Sequence, residues 1–134
     1  MNLPALLPAL LFGIGAAAAA AACTPDFKGA LTVESARYTL AWRTQPAAIP
    51  VGRHFAIDFV VCPKAGVPMP KSLRIDAQMP EHRHGMNYKA GVTAEGGGRY
   101  RAEGLMFHMP GRWELSFELG GEPIERLVAA VVLK

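Results

Sequence analysis

Apolar and polar side chains alternate through most of the chain after residue 36. Successive side chains of an extended strand point to opposite faces, so this period of two predicts strands with one buried face. The alternation is clearest in RHFAIDFVVC and recurs in RYTLAWR, SLRIDAQM, GRYRAEGLMF and RWELSFEL. The side chains expected to be buried together in one core are Tyr38, Leu40, Trp42, Phe55, Ile57, Phe59, Trp113, Leu115 and Phe117.

Glycine and proline clusters separate these segments and mark turns. The sequence shows no convincing helix, internal repeat or second domain. Short strands spaced roughly 8–12 residues apart predict an all-β fold, an antiparallel immunoglobulin-like β-sandwich or a related Greek key. A small barrel would suit the same strands.

Two local expectations concern the C-terminal half. Pro110 and Gly111 suit the central positions of a type II turn, so His108 and Met109 are expected at the tip of a hairpin. The last strand, IERLVAAVVL, has a nearly continuous apolar run, which predicts a central or doubly covered position.

The first 22 residues are uncharged, apolar and rich in alanine near their end. This pattern predicts a signal peptide over residues 1–22 and therefore export to the periplasm. A membrane anchor is the weaker alternative, because prolines, glycines and alanines make the span only weakly hydrophobic. Residues 23–35 are then expected to be an irregular lead-in, and residues 36–134 the β-sandwich domain, with no transmembrane span after the leader.

Charge and cysteine content narrow the classes of partner. The formal net charge is +3, and the basic residues are scattered without a run, so neither nucleic acid nor an anionic membrane surface is indicated. The two cysteines, Cys23 and Cys62, predict a disulfide in an exported chain. The alternative is a lipoprotein acylated at Cys23, with Cys62 left as a buried thiol.

Histidine and methionine concentrate in residues 79–86 and 106–109, which hold seven of the nine such residues after the leader. Core-filling methionines are normally dispersed, and histidine is a poor core residue. Imidazole together with thioether selects copper, especially Cu(I). The candidate ligands are His82, His84, Met86 and His108, with Met109 as a fifth.

An extended chain from His82 would place His82, His84 and Met86 on one face. His54 lies outside both segments and is expected to be a solvated surface residue. The competing interpretation of the cluster is a hydrogen-bonded corner in which the histidines cap turns.

The strings MPEHRHGMNY and GRYRAEGLMFHMPGRWEL resemble the YtkA-like family of small exported β-sandwich domains, near FixH-like proteins and CopC-type periplasmic copper carriers. The resemblance implies an immunoglobulin-like fold and a role in copper handling or in maturation of respiratory copper enzymes. The spacing of Met86 and His108 is also similar to that in PCuAC-type copper chaperones. Pro110 and Ile75 stand where that pattern has further ligands, so only a similar ligand set is implied.

The sequence has no nucleophile elbow, phosphate-binding loop or dinucleotide fingerprint. It therefore predicts a non-catalytic periplasmic copper carrier or chaperone, whose partners would be the copper ion and a periplasmic copper or haem protein. The alternative function is an interaction module that binds no metal and docks on such a protein.

Overall fold

The structure, a computed structural model, describes residues 23–134. The signal peptide predicted over residues 1–22 lies outside the described residues. The strands are β1 (Leu31–Glu34), β2 (Tyr38–Gln45), β3 (His54–Pro63), β4 (Ser72–Met79), β5 (His84–Gly85), β6 (Gly91–Gly96), β7 (Arg99–Met106), β8 (Gly111–Gly120) and β9 (Glu125–Leu133).

Two antiparallel sheets make up the domain. The five-stranded sheet has the order β1-β2-β3-β7-β6, and the four-stranded sheet has the order β5-β4-β8-β9. The predicted all-β sandwich is confirmed. Within residues 23–134 there is no helix that is long and apolar enough to cross a membrane.

The core lies between the sheets and contains all the side chains that the alternation predicts. Every one of the nine predicted core residues is buried. Phe59 of one sheet and Phe117 of the other have ring centroids 5.6 Å apart, and Trp42 lies 6.0 Å from Phe117. Burial of an apolar side chain of this size contributes roughly 1.5–3 kcal/mol, so these aromatic contacts hold the two sheets together.

Three short strands have no clear alternation and were not predicted. One of them, β1, pairs with β2 and places Leu31 opposite Trp42. The expected irregular lead-in is therefore wrong for residues 31–34, because exposed strand residues leave no apolar pattern. Among the glycine clusters expected to mark turns, that at residues 96–98 does form one, since Gly97 and Gly98 join β6 to β7 with φ of 63° and 78°.

The hairpin expected around His108 is wrong. β7 belongs to the five-stranded sheet and β8 to the four-stranded sheet, so residues 107–110 cross between the sheets. Phe107 continues the alternation of β7 into the core, where it is fully buried. A short connection with proline and glycine looks the same in a hairpin and in a crossing, because both need only a sharp change of direction.

The central position expected for the last strand is also wrong. β9 lies at the edge of its sheet, with β8 as its neighbour. Val128 and Val132 point outward and are 43% and 66% exposed. The continuous apolar run reflects an outer face that remains exposed among the described residues, not a second covering layer.

The two cysteines form a disulfide, as predicted. The Cα atoms of Cys23 and Cys62 are 5.5 Å apart. The bond attaches the N-terminal segment to the end of β3.

Candidate metal centre

The predicted ligands gather at one end of the sandwich. β4 ends at Met79 beside this end, β7 ends at Met106, and β8 begins at Gly111. His108 follows β7 in the crossing segment, and His84 opens β5 next to Met79. The crossing thus brings the two histidine-containing segments together from different sheets.

The segment that contains His82 and His84 is not extended as expected. Pro80–His82 forms a 3-10 turn, and Arg83 then takes a left-handed conformation with φ of 53°. The Arg83 N–H donates to the Pro80 carbonyl oxygen at 3.3 Å. His82, His84 and Met86 therefore do not occupy alternate positions of one strand, and the turn sets the direction of His82.

The short strand β5 lies close against β4. His84 is opposite Met79, and Gly85 is opposite Gln78. A Cβ atom at Gly85 would lie 3.2 Å from the Ala77 carbonyl oxygen. Glycine at this position lets β5 approach β4 closely, and it therefore fixes where His84 enters the site.

Three imidazole rings form a continuous cluster with His84 in the middle. The ring centroids of His82 and His84 are 5.7 Å apart, and those of His84 and His108 are 4.9 Å apart. His82 and His108 are exposed, whereas His84 is half-buried. The structure therefore brings together the three histidines of the predicted ligand set.

Trp113 lies beneath this cluster. Its ring centroid is 5.9 Å from that of His84 and 5.4 Å from that of His108, both with edge-to-face geometry. Phe107 stacks on the other side at 4.5 Å, and the indole N–H donates to the Met109 carbonyl oxygen at 3.1 Å. The sequence predicted Trp113 only as a core residue. The sequence feature that could have indicated its contact with the site is its position in the string FHMPGRW, five residues after His108.

The ring spacing suits a shared ion. A nitrogen bound at roughly 2 Å puts its ring centroid about 3 Å from the ion, so two ligating rings lie no more than about 6 Å apart. Both measured separations satisfy this limit. In addition, Nδ1 of His84 is buried without a hydrogen-bond partner among the described residues. A buried polar atom without a partner is costly, and a metal ion would satisfy it.

The rings are not oriented for coordination. Among residues 23–134, no group of three or more His, Cys, Asp or Glu side chains is arranged to hold a metal ion. His82 and His84 are stacked at 26°, so they present their faces to each other. Convergence of their nitrogens requires rotation of the imidazoles, for which the exposed His82 and His108 have room.

The methionines of the predicted ligand set adjoin the clustered histidines along the chain, Met86 two residues after His84 and Met109 next to His108. Met86 and Met109 are half-buried and pack against the hydrophobic core. Met86 and His84 both line a cavity of about 340 Å³ next to β4 and β5. Met79 lines the same cavity, but its side chain is fully buried and belongs to the core.

His54 lies outside the ring cluster of His82, His84 and His108, and its side chain is exposed, as predicted. Its ring meets Tyr88 edge-to-face at 4.8 Å. Arg112 lies close to the cluster. Its guanidinium forms an ion pair with the Glu114 carboxylate at 3.3 Å, so the positive charge of Arg112 is directed toward β8.

Comparison with known proteins agrees with this fold. The YtkA-like family model matches residues 32–118. The chain is also similar to the crystal structure of a DUF4426 family protein from Pseudomonas aeruginosa, with a TM-score of 0.56, 13% sequence identity, and coverage of 81% of this chain and 97% of that chain. At this identity the similarity shows the fold alone. No curated protein matches the chain. Because the family match spans more than half of the sequence, the resemblance seen in the two histidine-methionine strings is confirmed, and the chain belongs to the YtkA-like family.

Proposed function

We propose that this domain is a non-catalytic periplasmic carrier that binds Cu(I) as its cargo. The ligands are His82, His84 and His108, and Met86 and Met109 supply thioether donors beside them. One observation carries the proposal: the buried Nδ1 of His84 has no partner among the described residues, and its ring lies between two other imidazoles. An unpartnered buried nitrogen destabilises the folded domain, and a metal ion bound to this nitrogen would remove that penalty.

The exposure of the ligands fits a carrier. His82 and His108 are exposed and can engage an ion that another molecule still holds, while the half-buried His84 completes its binding. Trp113 and Phe107 form a fully buried wall that keeps water from one side of the site. Soft imidazole and thioether donors favour Cu(I) over harder divalent ions.

A titration under anaerobic conditions tests the proposal. Cu(I) is partitioned between the protein and the chelator bicinchoninate, and the wild-type protein is expected to bind one ion. His84→Ala should weaken Cu(I) binding at least tenfold, because it removes the central ligand. Met86→Ala should also weaken Cu(I) binding, because it removes a thioether donor.

His54→Ala is the matched control, since His54 is a histidine at the same end of the sandwich and outside the ring cluster. Its affinity should equal that of the wild type, and thermal unfolding should confirm that each variant is folded. Unchanged affinity in the double variant His84→Ala, His108→Ala would end the copper proposal at this site. Failure of the wild type to bind any copper would favour a docking module without metal.

A further inference from the structure

Four basic residues lie in the segments next to the histidine cluster and are in no ion pair among the described residues. All four are exposed; we call them the basic rim: Arg53, Arg83, Lys89 and Lys134. Glu81 is the exposed acidic residue in the same turn as His82. The net charge of the exposed groups at this end of the domain is therefore positive.

Backbone contacts place the rim at the same end as the cluster. Arg83 stands between His82 and His84 in the sequence. The Gly52 N–H donates to the Phe107 carbonyl oxygen at 2.8 Å, which sets Arg53 beside the segment that contains His108. Lys134 follows Leu133, whose partner across the β8–β9 ladder is Gly111.

Lys89 belongs to the same end. Its carbonyl oxygen lies near Gly104, close to the end of β7, and the preceding Tyr88 packs on His54. Lys89 follows β5 and Lys134 follows β9, and these strands are the two opposite edges of the four-stranded sheet.

Outside the rim, Arg112, Glu81 and Glu114, the sequence has nine basic and nine acidic residues, so the charges elsewhere balance in number. On the five-stranded sheet the Asp58 carboxylate bonds Arg43 at 3.4 Å and Arg101 at 2.7 Å. The hydrogen bonds that Arg101 donates to the Glu103 and Asp58 carboxylates raise its pKa above the ordinary value. At the disulfide end, Lys71 and Arg99 are accompanied by Glu95 and Glu122. The positive excess is specific to the end that holds the histidines.

A positive rim around a cation site works against capture of a free ion. Like charges repel, so aqueous Cu(I) approaches this end slowly, whereas a carrier with acidic groups is drawn to it. We propose that the basic rim docks an acidic segment of the protein that gives copper to this domain or takes copper from it. This inference rests on the proposed function of the same histidine site.

A pair of short synthetic peptides tests the inference. Both contain the same methionine ligands for Cu(I), and they differ only in their flanking residues, which are aspartate in one and lysine in the other. Stopped-flow fluorescence measures the rate of copper transfer from each loaded peptide to the full domain. Transfer from the aspartate peptide should be at least tenfold faster at about 0.01 M salt, and the difference should vanish at about 1 M salt.

Two charge-reversal variants test whether the preference for the aspartate peptide comes from the rim or from the net charge of the whole domain. Arg83→Glu with Lys89→Glu reverses two rim positions, and Arg99→Glu with Lys71→Glu makes the same change of charge at the disulfide end. The rim variant should lose or reverse the preference for the aspartate peptide, and the distal variant should keep it. Differences in the copper affinity of the peptides cancel in this comparison between variants.

The equilibrium titration separates failure of the inference from failure of the proposed function. If the wild type binds Cu(I) but receives it equally fast from both peptides, or if both variants behave alike, the docking inference is overturned and the copper site stands. If the wild type takes no copper from either peptide and none in the titration, both proposals are overturned.

Discussion

Trp113 is the residue whose side chain contacts both the hydrophobic core and the histidine cluster. Its buried indole stacks on the Phe107 ring and also meets the His84 and His108 rings with edge-to-face geometry. An ion held by those two imidazoles would therefore lie no more than about 9 Å from the centroid of an indole that is shielded from water. A cation bound beside an indole interacts with the π electrons of the ring and therefore changes its fluorescence.

This geometry predicts which tryptophan reports copper binding. In Trp113→Phe, the change of fluorescence on addition of Cu(I) should be largely lost, while thermal unfolding shows that the domain is still folded. Trp42→Phe is the control, because Trp42 is also buried but contacts Phe117 instead of the histidines. A copper-dependent signal that disappears with Trp42 and persists without Trp113 would contradict the placement of the ion.

For single residues, the composition of the two segments was a better guide to the site than the backbone conformation expected for them. The density of histidine and methionine in two segments was sufficient to predict that His82, His84 and His108 come together, and they do. The extended conformation expected from His82 onward was wrong, because a left-handed Arg83 has no sequence signature comparable to that of glycine. Ring orientation depends on tertiary packing and was not predictable.

Among the elements, the crossing from β7 to β8 does most to assemble the site. It carries His108 from one sheet toward β5 of the other, and it ends at Gly111 with φ of 126°. A Cβ atom at Gly111 would lie 2.7 Å from the Met79 methyl group. Met79 is fully buried, so its terminal methyl group would have to shift within the packed core, and the crossing therefore favours glycine for both its backbone angle and its space.

Gly111→Ala should therefore destabilise the domain by about 1–3 kcal/mol, as expected for a residue forced into a sparsely populated backbone region. Gly52→Ala is a useful comparison, because Gly52 also has a positive φ, of 73°, but has open space around it. Urea unfolding of both variants should show the larger loss for Gly111→Ala. Equal losses would mean that neither the contact with Met79 nor the different backbone angle of Gly111 adds to the cost of a positive φ.

The elements also show why topology was harder to predict than strands. Alternation identified β2, β3, β4, β7 and β8 and their buried faces, because that pattern follows from the geometry of a single strand. Which sheet a strand joins depends on contacts with distant segments. Val128 and Val132 illustrate this point, since an apolar outer face is the same in sequence whether it is covered or exposed.

In the whole molecule, the disulfide and the histidine cluster are at opposite ends. His54 opens β3 at the cluster end, and Cys62 lies eight positions further along the same strand. At a rise of about 3.3 Å per residue, this separation is roughly 25 Å. Stability supplied by the disulfide should therefore be separable from copper binding.

Replacement of both cysteines, Cys23→Ser with Cys62→Ser, tests this separation. The disulfide spans a sequence separation of 39 residues, and a cross-link of that size contributes about 2–4 kcal/mol, largely by restricting the unfolded chain. Urea unfolding should show a loss of this size, whereas the Cu(I) affinity measured against bicinchoninate well below the unfolding midpoint should stay within about twofold of wild type. The domain core and the β7–β8 crossing hold the histidines without help from the N-terminal segment, so their positions should persist when the cross-link is absent. A tenfold loss of Cu(I) affinity in the folded variant would show instead that the disulfide end and the site are mechanically coupled through β3.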